Sequence, residues 1–149
     1  MTIFTTKAAA RILVRDRKQQ DGDIATGHCG HVPVSVNGMR HWRPDDLAAE
    51  LYFMDLRREG YSVKIAGLVA TRLRTAMREH PDADQLTLVT MMNGNRFAVP
   101  TAKLEIESGW TSGGPVREAL TIDVRNLRVR IGALIEAYEP VIGGEDEAA

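Results

Sequence analysis

The sequence has little cysteine, few aromatic residues and no long apolar run. Cys29 is the one cysteine in 149 residues, which excludes an intramolecular disulfide and is typical of a reducing compartment. Aromatic residues make up 5% of the chain, so the core must be mainly aliphatic. No apolar stretch approaches the roughly 20 residues that a membrane-spanning helix needs. The first residues also lack the charged and apolar pattern of a secretory signal peptide. We therefore expect a cytoplasmic protein.

The common catalytic motifs are also missing. The chain has no glycine-rich phosphate loop, no Gly-x-Ser-x-Gly and no His-Glu-x-x-His. Two pairs of carboxylates, Asp45 with Asp46 and Asp82 with Asp84, fall at a predicted helix start and a predicted turn, where capping explains them. We predict that the protein is not an enzyme and binds no cofactor.

Charge is distributed unevenly along the chain. Residues 1–79 carry 13 Lys and Arg against 9 Asp and Glu, whereas residues 80–149 carry 6 against 11. The whole chain has a formal charge of −1, which alone points to no partner. The basic first half is therefore the part expected to contact a nucleic acid.

Short polar residues and apolar spacing predict four helices in the first half. Thr5 or Thr6 can cap a short helix that ends near Leu13, and Asp16 can cap a basic second helix that reaches Ile24. Two longer helices follow. Pro44 opens the third, and Gly60 closes it. Ser62 caps the fourth, whose predicted apolar stripe is Ile65, Leu68, Val69, Leu73 and Met77.

Strand patterns appear between the second and third helices and again after Pro81. Val32, Val34 and Val36 alternate before Asn37-Gly38, the strongest short hairpin signal, which predicts a small β-wing. Residues 86–92 and 96–99 predict a second hairpin around Asn93-Gly94, and residues 108–115 read as a loop. A short strand at residues 120–123 then leads into a final helix that Pro140 should stop. Its stripe is either core or a dimer interface, and consists of Leu127, Ile131, Leu134, Ile135 and Tyr138.

This order of elements resembles the DNA-binding domain of MerR-type regulators. Phe4-Thr5 and Ala9-Ala10 match the Phe-Thr-x-x-x-Ala-Ala pattern of the family's first helix, and residues 37–42 match its Asn-Gly-x-Arg wing. Asp46-Leu47, followed by residues 56–65, matches the family's Asp-Leu and Leu-Arg-x-x-Gly-Tyr-Ser-x-x-Ile. The resemblance covers residues 4–79, about half of the chain.

The resemblance implies a bacterial winged helix-turn-helix protein that binds double-stranded DNA as a homodimer. Its second helix would enter the major groove, and its wing would contact the backbone beside it. The residues that this reading places on DNA are Lys7, Arg11, Arg15, Arg17, Lys18, Gln19, Arg40 and Arg43.

We therefore predict an α+β chain in three parts. A MerR-like winged helix-turn-helix domain would occupy residues 1–80, and a small strand-and-helix lobe for dimerisation or partner binding would occupy residues 81–142. Residues 143–149 would form a disordered acidic tail. The predicted function is that of a sequence-specific transcriptional regulator on the nucleoid.

Three other functions stay open at this point, one of them an architectural role such as a recombination cofactor that bends DNA. The acidic second half fits an antitoxin-type protein, whose C-terminal lobe binds a partner protein. A sensor is the third possibility, because His28, Cys29, His31 and His41 offer soft ligands for zinc or copper, or Cys29 could be a redox-active thiol. The spacing is not that of a standard zinc site, so we predict no bound metal.

Overall fold

The computed structural model describes residues 3–107, 109–111 and 113–142, which form an α+β fold with a four-stranded antiparallel sheet. This confirms the expected fold class at its coarser level. The helices are α1 (Thr6–Ile12), α2 (Arg17–Ala25), α3 (Pro44–Arg58), α4 (Val63–Glu79) and α5 (Val124–Ile142). The strands are β1 (Gln85–Met91), β2 (Arg96–Pro100), β3 (Trp110–Thr111) and β4 (Gly114–Asp123), with a 3₁₀ turn at Thr101–Lys103. The predicted acidic tail lies outside the described residues.

The helix caps predicted in the first half are confirmed. The Oγ1 atom of Thr5 accepts a hydrogen bond from the amide of Ala8 at 3.1 Å. Asp16 accepts one from the amide of Lys18 at 3.0 Å, so α2 begins where its cap predicts. Four residues, 13–16, separate the two helices, which is the length of a helix-turn-helix connection.

The turn between α1 and α2 contains a strained valine. The amide of Arg15 donates to the carbonyl of Ala10 and the amide of Val14 to that of Arg11, which is a Schellman ending. Val14 occupies the left-handed position of this ending with φ of 52°, although that position favours glycine and a β-branched residue there is an outlier. Its side chain is 84% exposed, so burial does not repay the strain.

Val14→Gly is therefore expected to stabilise the protein. Removing the Cβ relieves about 1–2 kcal/mol of left-handed strain, and the greater freedom of glycine in the unfolded chain offsets about half of this. We expect the free energy of unfolding to rise by about 0.5–1 kcal/mol in urea titrations. Val129→Gly is the control, because Val129 is also an exposed valine but lies in regular α5. That variant should lose a few tenths of a kcal/mol, and a loss of stability in Val14→Gly would contradict the strain argument.

The predicted β-wing is reduced to a single two-residue turn. Val36 and Met39 exchange both backbone hydrogen bonds, at 2.7 and 3.0 Å, around Asn37 and Gly38. Both central residues have positive φ, 53° and 78°, as a type I′ turn requires. The turn is confirmed, but the longer valine strand is wrong. No described strand lies beside these residues to pair with them, so Val36 stays exposed.

α3 and α4 form the predicted helical hairpin. Gly60 has φ of 99°, and the amides of Gly60 and Tyr61 donate to carbonyls in the last turn of α3, so the glycine closes the helix as predicted. Ser62 caps α4 through the amide of Ile65 at 3.2 Å. Helix α4 packs against α3 along its length.

The stripe predicted for α4 is wrong at two positions. Ile65 and Leu68 are 50% and 41% exposed. The buried face instead uses small residues, which let the neighbouring backbone approach closely. It comprises Ala66, Gly67, Ala70, Leu73, Ala76 and Met77.

The sheet has the strand order β2-β1-β4-β3. The hairpin predicted around Asn93-Gly94 is confirmed. The loop expected at 108–115 is partly wrong, because Trp110 and Thr111 pair with Pro115 and Gly114 as a tight hairpin, while 108 and 112 lie outside the described residues. Strand β4 also begins at Gly114, six residues before the predicted strand at 120, because β1 is long enough to pair with it over most of that length.

Helix α5 places its stripe in the core and not at a free surface. Leu127, Ile131 and Tyr138 are buried, and Leu134 and Ile135 pack beside them. Asp123 caps the helix, since it accepts a hydrogen bond from the amide of Asn126 at 2.9 Å. The stop at Pro140 is wrong: the helix continues to Ile142, so the proline lies in the last turn, where the hydrogen bond that any proline lacks and the crowding by its ring affect only the end of a helix.

The two predicted domains share one hydrophobic core. Phe4, at the start of the chain, meets Tyr138 of α5 edge to face, with ring centroids 6.3 Å apart. Helix α5 packs on α3 and α1, and the same cluster reaches Leu86 and Leu88 of β1. The boundary at residue 80 thus remains a prediction, and residues on both sides of it pack into the same core. Among the described residues, no helix is both long and apolar enough to cross a lipid bilayer.

Candidate nucleic-acid interface

The structure brings three exposed cations of the predicted DNA contacts to one groove beside the α1–α2 turn. Lys7, Arg11 and Arg17 line a groove of about 510 Å³, together with Ala10, Val14, Asp16 and the largely buried Arg15. Lys7 and Arg11 are one helical turn apart on α1, and Arg17 is the first residue of α2. All three residues are exposed.

A second, smaller groove of about 270 Å³ extends this surface towards the type I′ turn. Lys7 and Arg17 line it from the helices, and Arg40 and Gly38 line it from the turn. The guanidinium of Arg40 donates a hydrogen bond to the carbonyl of Pro33, which holds this side chain against the loop. Asp21 also lines the groove, so an acidic group interrupts the basic surface.

The exposed side of α2 carries the remaining predicted contacts on that helix. Lys18 and Gln19 are exposed. Arg17 makes an exposed ion pair with Asp21, with 3.1 Å between Nε and Oδ1, and such surface pairs are weak. Arg43 is exposed just before α3. Seven of the eight predicted residues therefore lie at or near the surface.

Arg15 is the exception, because its side chain is only 6% exposed. Its guanidinium lies 2.7 Å from Oε1 of Glu50 and makes an ion pair with Asp23. The guanidinium carbon is also 5.4 Å from the ring centroid of Phe53. The side chain is enclosed by protein and not presented to solvent, so we leave Arg15 out of the proposed DNA contacts.

Arg15 belongs to a buried polar network that joins α2 to α3. Its centre is Glu50 of α3, which accepts from Nε2 of Gln20 at 3.4 Å and lies 3.2 Å from Nε2 of His31. Gln20, His31 and Glu50 are all almost fully buried. Because Gln20 and Asp23 belong to α2, the network fixes that helix against the hairpin of α3 and α4. We name Arg15, Gln20, Asp23, His31 and Glu50 the Glu50 network.

The sequence reasoning missed this network, although a signal for it existed. Glu50 lies between apolar positions of α3, Leu47 and Leu51, where a solvent-facing carboxylate is not expected. A charge on a buried helix face needs a partner of opposite charge. That partner had to come from another element, and the sequence does not show which one.

The environment of Glu50 gives a prediction for acid conditions. Burial alone would raise the pKa of this carboxyl, but hydrogen bonds from His31 and Gln20 and the charge of Arg15 outweigh burial and lower the pKa below its usual 4.5. The folded state then binds this proton less readily than the unfolded state does. The contribution of the ionised Glu50 carboxylate to the free energy of unfolding is complete above pH 4.5. It is lost as the pH falls through the lower pKa of the folded state. Urea titrations over this range should show it, and Glu50→Gln should lose that part of the acid dependence.

His31 and Cys29, which the sequence offers for metal or redox chemistry, have other partners in the structure. His31 is buried against Glu50 and stacks on Phe53, with ring centroids 5.0 Å apart. Cys29 donates to the carbonyl of Asp23, and burial, followed by the charges of Glu50 and Asp23, raises the pKa of its thiol to about 12. A thiol so rarely ionised at neutral pH is a poor nucleophile. In the described part of the chain, no three His, Cys, Asp or Glu side chains are grouped to hold a metal ion.

No protein-family model matches the sequence, and comparison with curated proteins finds no match. The functional reading therefore depends on the geometry and charge of the residues themselves.

Proposed function

We propose that the protein is a DNA-binding transcriptional regulator whose first half is a MerR-like winged helix-turn-helix. One observation carries the proposal: α2 lies on the surface, is fixed from behind by the Glu50 network and stands beside a groove lined by Lys7, Arg11 and Arg17. The four-residue turn before α2 supports the proposal, because the recognition helix of a helix-turn-helix also follows a turn of three or four residues.

In this proposal α2 enters the major groove of double-stranded DNA. Lys18 and Gln19 are exposed on α2 and can reach phosphates or base edges, with glutamine suited to adenine. Lys7, Arg11 and Arg17 would contact the phosphates that flank the groove. The type I′ turn at Asn37-Gly38, with Arg40 beside it, would act as a short wing on the backbone.

The electrostatics of α2 favour docking by its basic side. Each carboxylate of α2 and its cap has a partner. Asp16 caps the helix, Asp23 pairs with Arg15, and Asp21 pairs with Arg17. Because the Asp21 pair is exposed and weak, Arg17 can exchange this carboxylate for a phosphate at little cost. Phosphate contacts of this kind release counterions, so affinity should fall steeply with salt.

Fluorescence anisotropy with labelled DNA from upstream of the protein's own gene tests the proposal. Wild-type protein should bind this duplex more tightly than an unrelated duplex of equal length. The double variant Arg17→Ala with Lys18→Ala should weaken binding by 10-fold or more, about 1.4 kcal/mol or above. Arg96→Ala with Lys103→Ala is the charge-matched control, because both residues are exposed and lie in the sheet lobe, which comprises β1–β4 and the 3₁₀ turn, and it should bind like wild type.

Two results would overturn the proposal. One is that no duplex from a random-sequence selection binds the protein in a salt-sensitive way. The other is that the two double variants lose the same amount of DNA affinity. Circular dichroism of each variant shows whether it is folded, so a loss of binding by unfolding is recognised.

A second candidate function, an antitoxin-type module, is favoured by exposed apolar side chains in the sheet lobe. Trp110, Met92 and Phe97 are all exposed there, and single large aromatic residues of this kind anchor protein interfaces. If this is the function, co-expression with the product of the adjacent gene should give a stoichiometric complex. Trp110→Ala should weaken that complex, whereas Val129→Ala on α5 should not.

A further inference from the structure

Strand β4 has an open outer edge. One side of β4 pairs with β1 from Glu118 to Asp123, but on its other side β3 pairs only with Gly114 and Pro115. The next amide, that of Val116, donates to the carbonyl of Gly109. From Arg117 to Asp123, no described backbone group is bonded to the outer side of β4. Residues 117–121 are all exposed. A row of unpaired amides and carbonyls of this length is a template for another strand.

The regular part of this edge is short and contains one exposed leucine. A register shift opposite Thr90 and Met91 marks a bulge at Arg117, and α5 begins at Val124, so the regular segment is residues 118–123. Its exposed large apolar residue is Leu120, at 39%. Leu120 pairs with Leu88, a core residue, so it lies on the helix-facing side of the sheet at the margin of the core.

We propose that a second copy of this chain pairs with this edge, β4 against β4, antiparallel and with a two-fold axis through Leu120. In this register Leu120 lies opposite the partner's Leu120, and Ala119 lies opposite the partner's Thr121. The two sheets join into one of eight strands. Self-pairing about a two-fold axis is the commonest way in which soluble chains form dimers.

Charge complementarity selects a second copy as the occupant. The same register brings Arg117, at the bulge that ends the regular segment, beside the partner's Asp123, and by symmetry this pair occurs twice. Both residues are exposed, and within the described part of the single chain the ion pair found for Arg117 is a loose one with Glu118 at 3.8 Å. Cross-strand pairs of opposite charge stabilise a ladder, whereas like charges opposite each other destabilise it. The two leucines remove each other from water at the centre.

The dimer does not depend on DNA, so its test is separate from that of the proposed function. Sedimentation velocity over a concentration series should show the wild-type chain as a dimer. Leu120→Lys places two ammonium groups on the axis and should give a monomer. Leu68→Lys is the matched control, because Leu68 is a leucine of similar exposure on α4, and it should remain a dimer. Urea titration of each variant confirms that the monomer is folded.

Cysteine cross-linking tests the register and does not require the dimer to be weakened. In a Cys29→Ser background, Leu120→Cys should form a disulfide-linked dimer under mild oxidation, because the two Cys residues face each other across the axis. Glu118→Cys should not, because its two copies are four residues apart along the ladder, about 13 Å, beyond the reach of a disulfide. A monomeric wild type, a dimer that survives Leu120→Lys, or cross-linking that is equal at 118 and 120 would overturn the proposal.

Discussion

Glu50→Gln is expected to lower the free energy of unfolding by about 3 kcal/mol, because breaking a buried ion pair leaves an uncompensated charge. The change keeps the shape of the side chain but removes the carboxylate that lies 2.7 Å from the buried guanidinium of Arg15. It also replaces the acceptor for His31 and Gln20. Asp23 remains as a partner for Arg15, so the loss should fall at the lower end of the range for such pairs.

We also expect the loss of stability in Glu50→Gln to be concentrated in α2. Since Gln20 and Asp23 belong to α2, hydrogen exchange of the α2 amides should accelerate more in Glu50→Gln than exchange in β1. Asp21→Asn is the control, because it removes an exposed carboxylate paired with Arg17 on the same helix. That variant should change stability by no more than about 0.5 kcal/mol. Equal effects of the two substitutions would show that the Glu50 network does not hold α2.

Gly67→Ala is expected to destabilise the protein by about 1–3 kcal/mol, although alanine is the better helix former. A Cβ added at Gly67 would lie 2.0 Å from the carbonyl oxygen of His28 and 2.9 Å from its carbon. Both are backbone atoms, so neither can rotate away. The loop that contains His31 would have to move, and His31 is part of the Glu50 network. The substitution should therefore loosen α2 as well as α4.

Gly132→Ala is the matched control for Gly67→Ala. Gly132 is also inside a helix, α5, and its added Cβ would meet nothing within 4 Å. That variant should gain up to about 1 kcal/mol from helix propensity alone. Urea titrations of both variants measure the difference. A stabilised Gly67→Ala would mean that the loop at His28 does not press against α4.

The sequence was sufficient for features that depend on a few neighbouring residues. A cap at Thr5 or Thr6, caps at Asp16 and Ser62, the glycine ending at Gly60 and the turn at Asn37-Gly38 were all predicted, because each is set by a local hydrogen bond or a permitted φ. The α+β class followed from the predicted helices and strands.

Features that depend on distant residues could not be predicted. In the sequence, Arg15 resembles the other cations of a basic segment. Only the packing of α3 against the turn shows that Arg15 is buried and paired with Glu50. The buried face of α4 was misplaced for a similar reason, because the backbone at His28 lies against Gly67, and the face that contains this glycine is buried while Ile65 is exposed. The valine alternation before Asn37 predicted a strand, but a strand also needs a neighbour, which this segment lacks in the described fold.

The salt dependence of DNA binding tests the central claim most directly. If Lys7, Arg11, Arg17 and Lys18 neutralise phosphates, the logarithm of the affinity should fall linearly with the logarithm of salt concentration, with a slope of about −0.9 for each phosphate neutralised. Lys18→Ala should make this slope shallower by about one unit, because one phosphate then keeps its counterion in the complex. Lys103→Ala in the sheet lobe should leave the slope unchanged. A slope near zero in the wild type, or one that responds equally to both substitutions, would contradict the assignment of α2 and its basic groove to DNA.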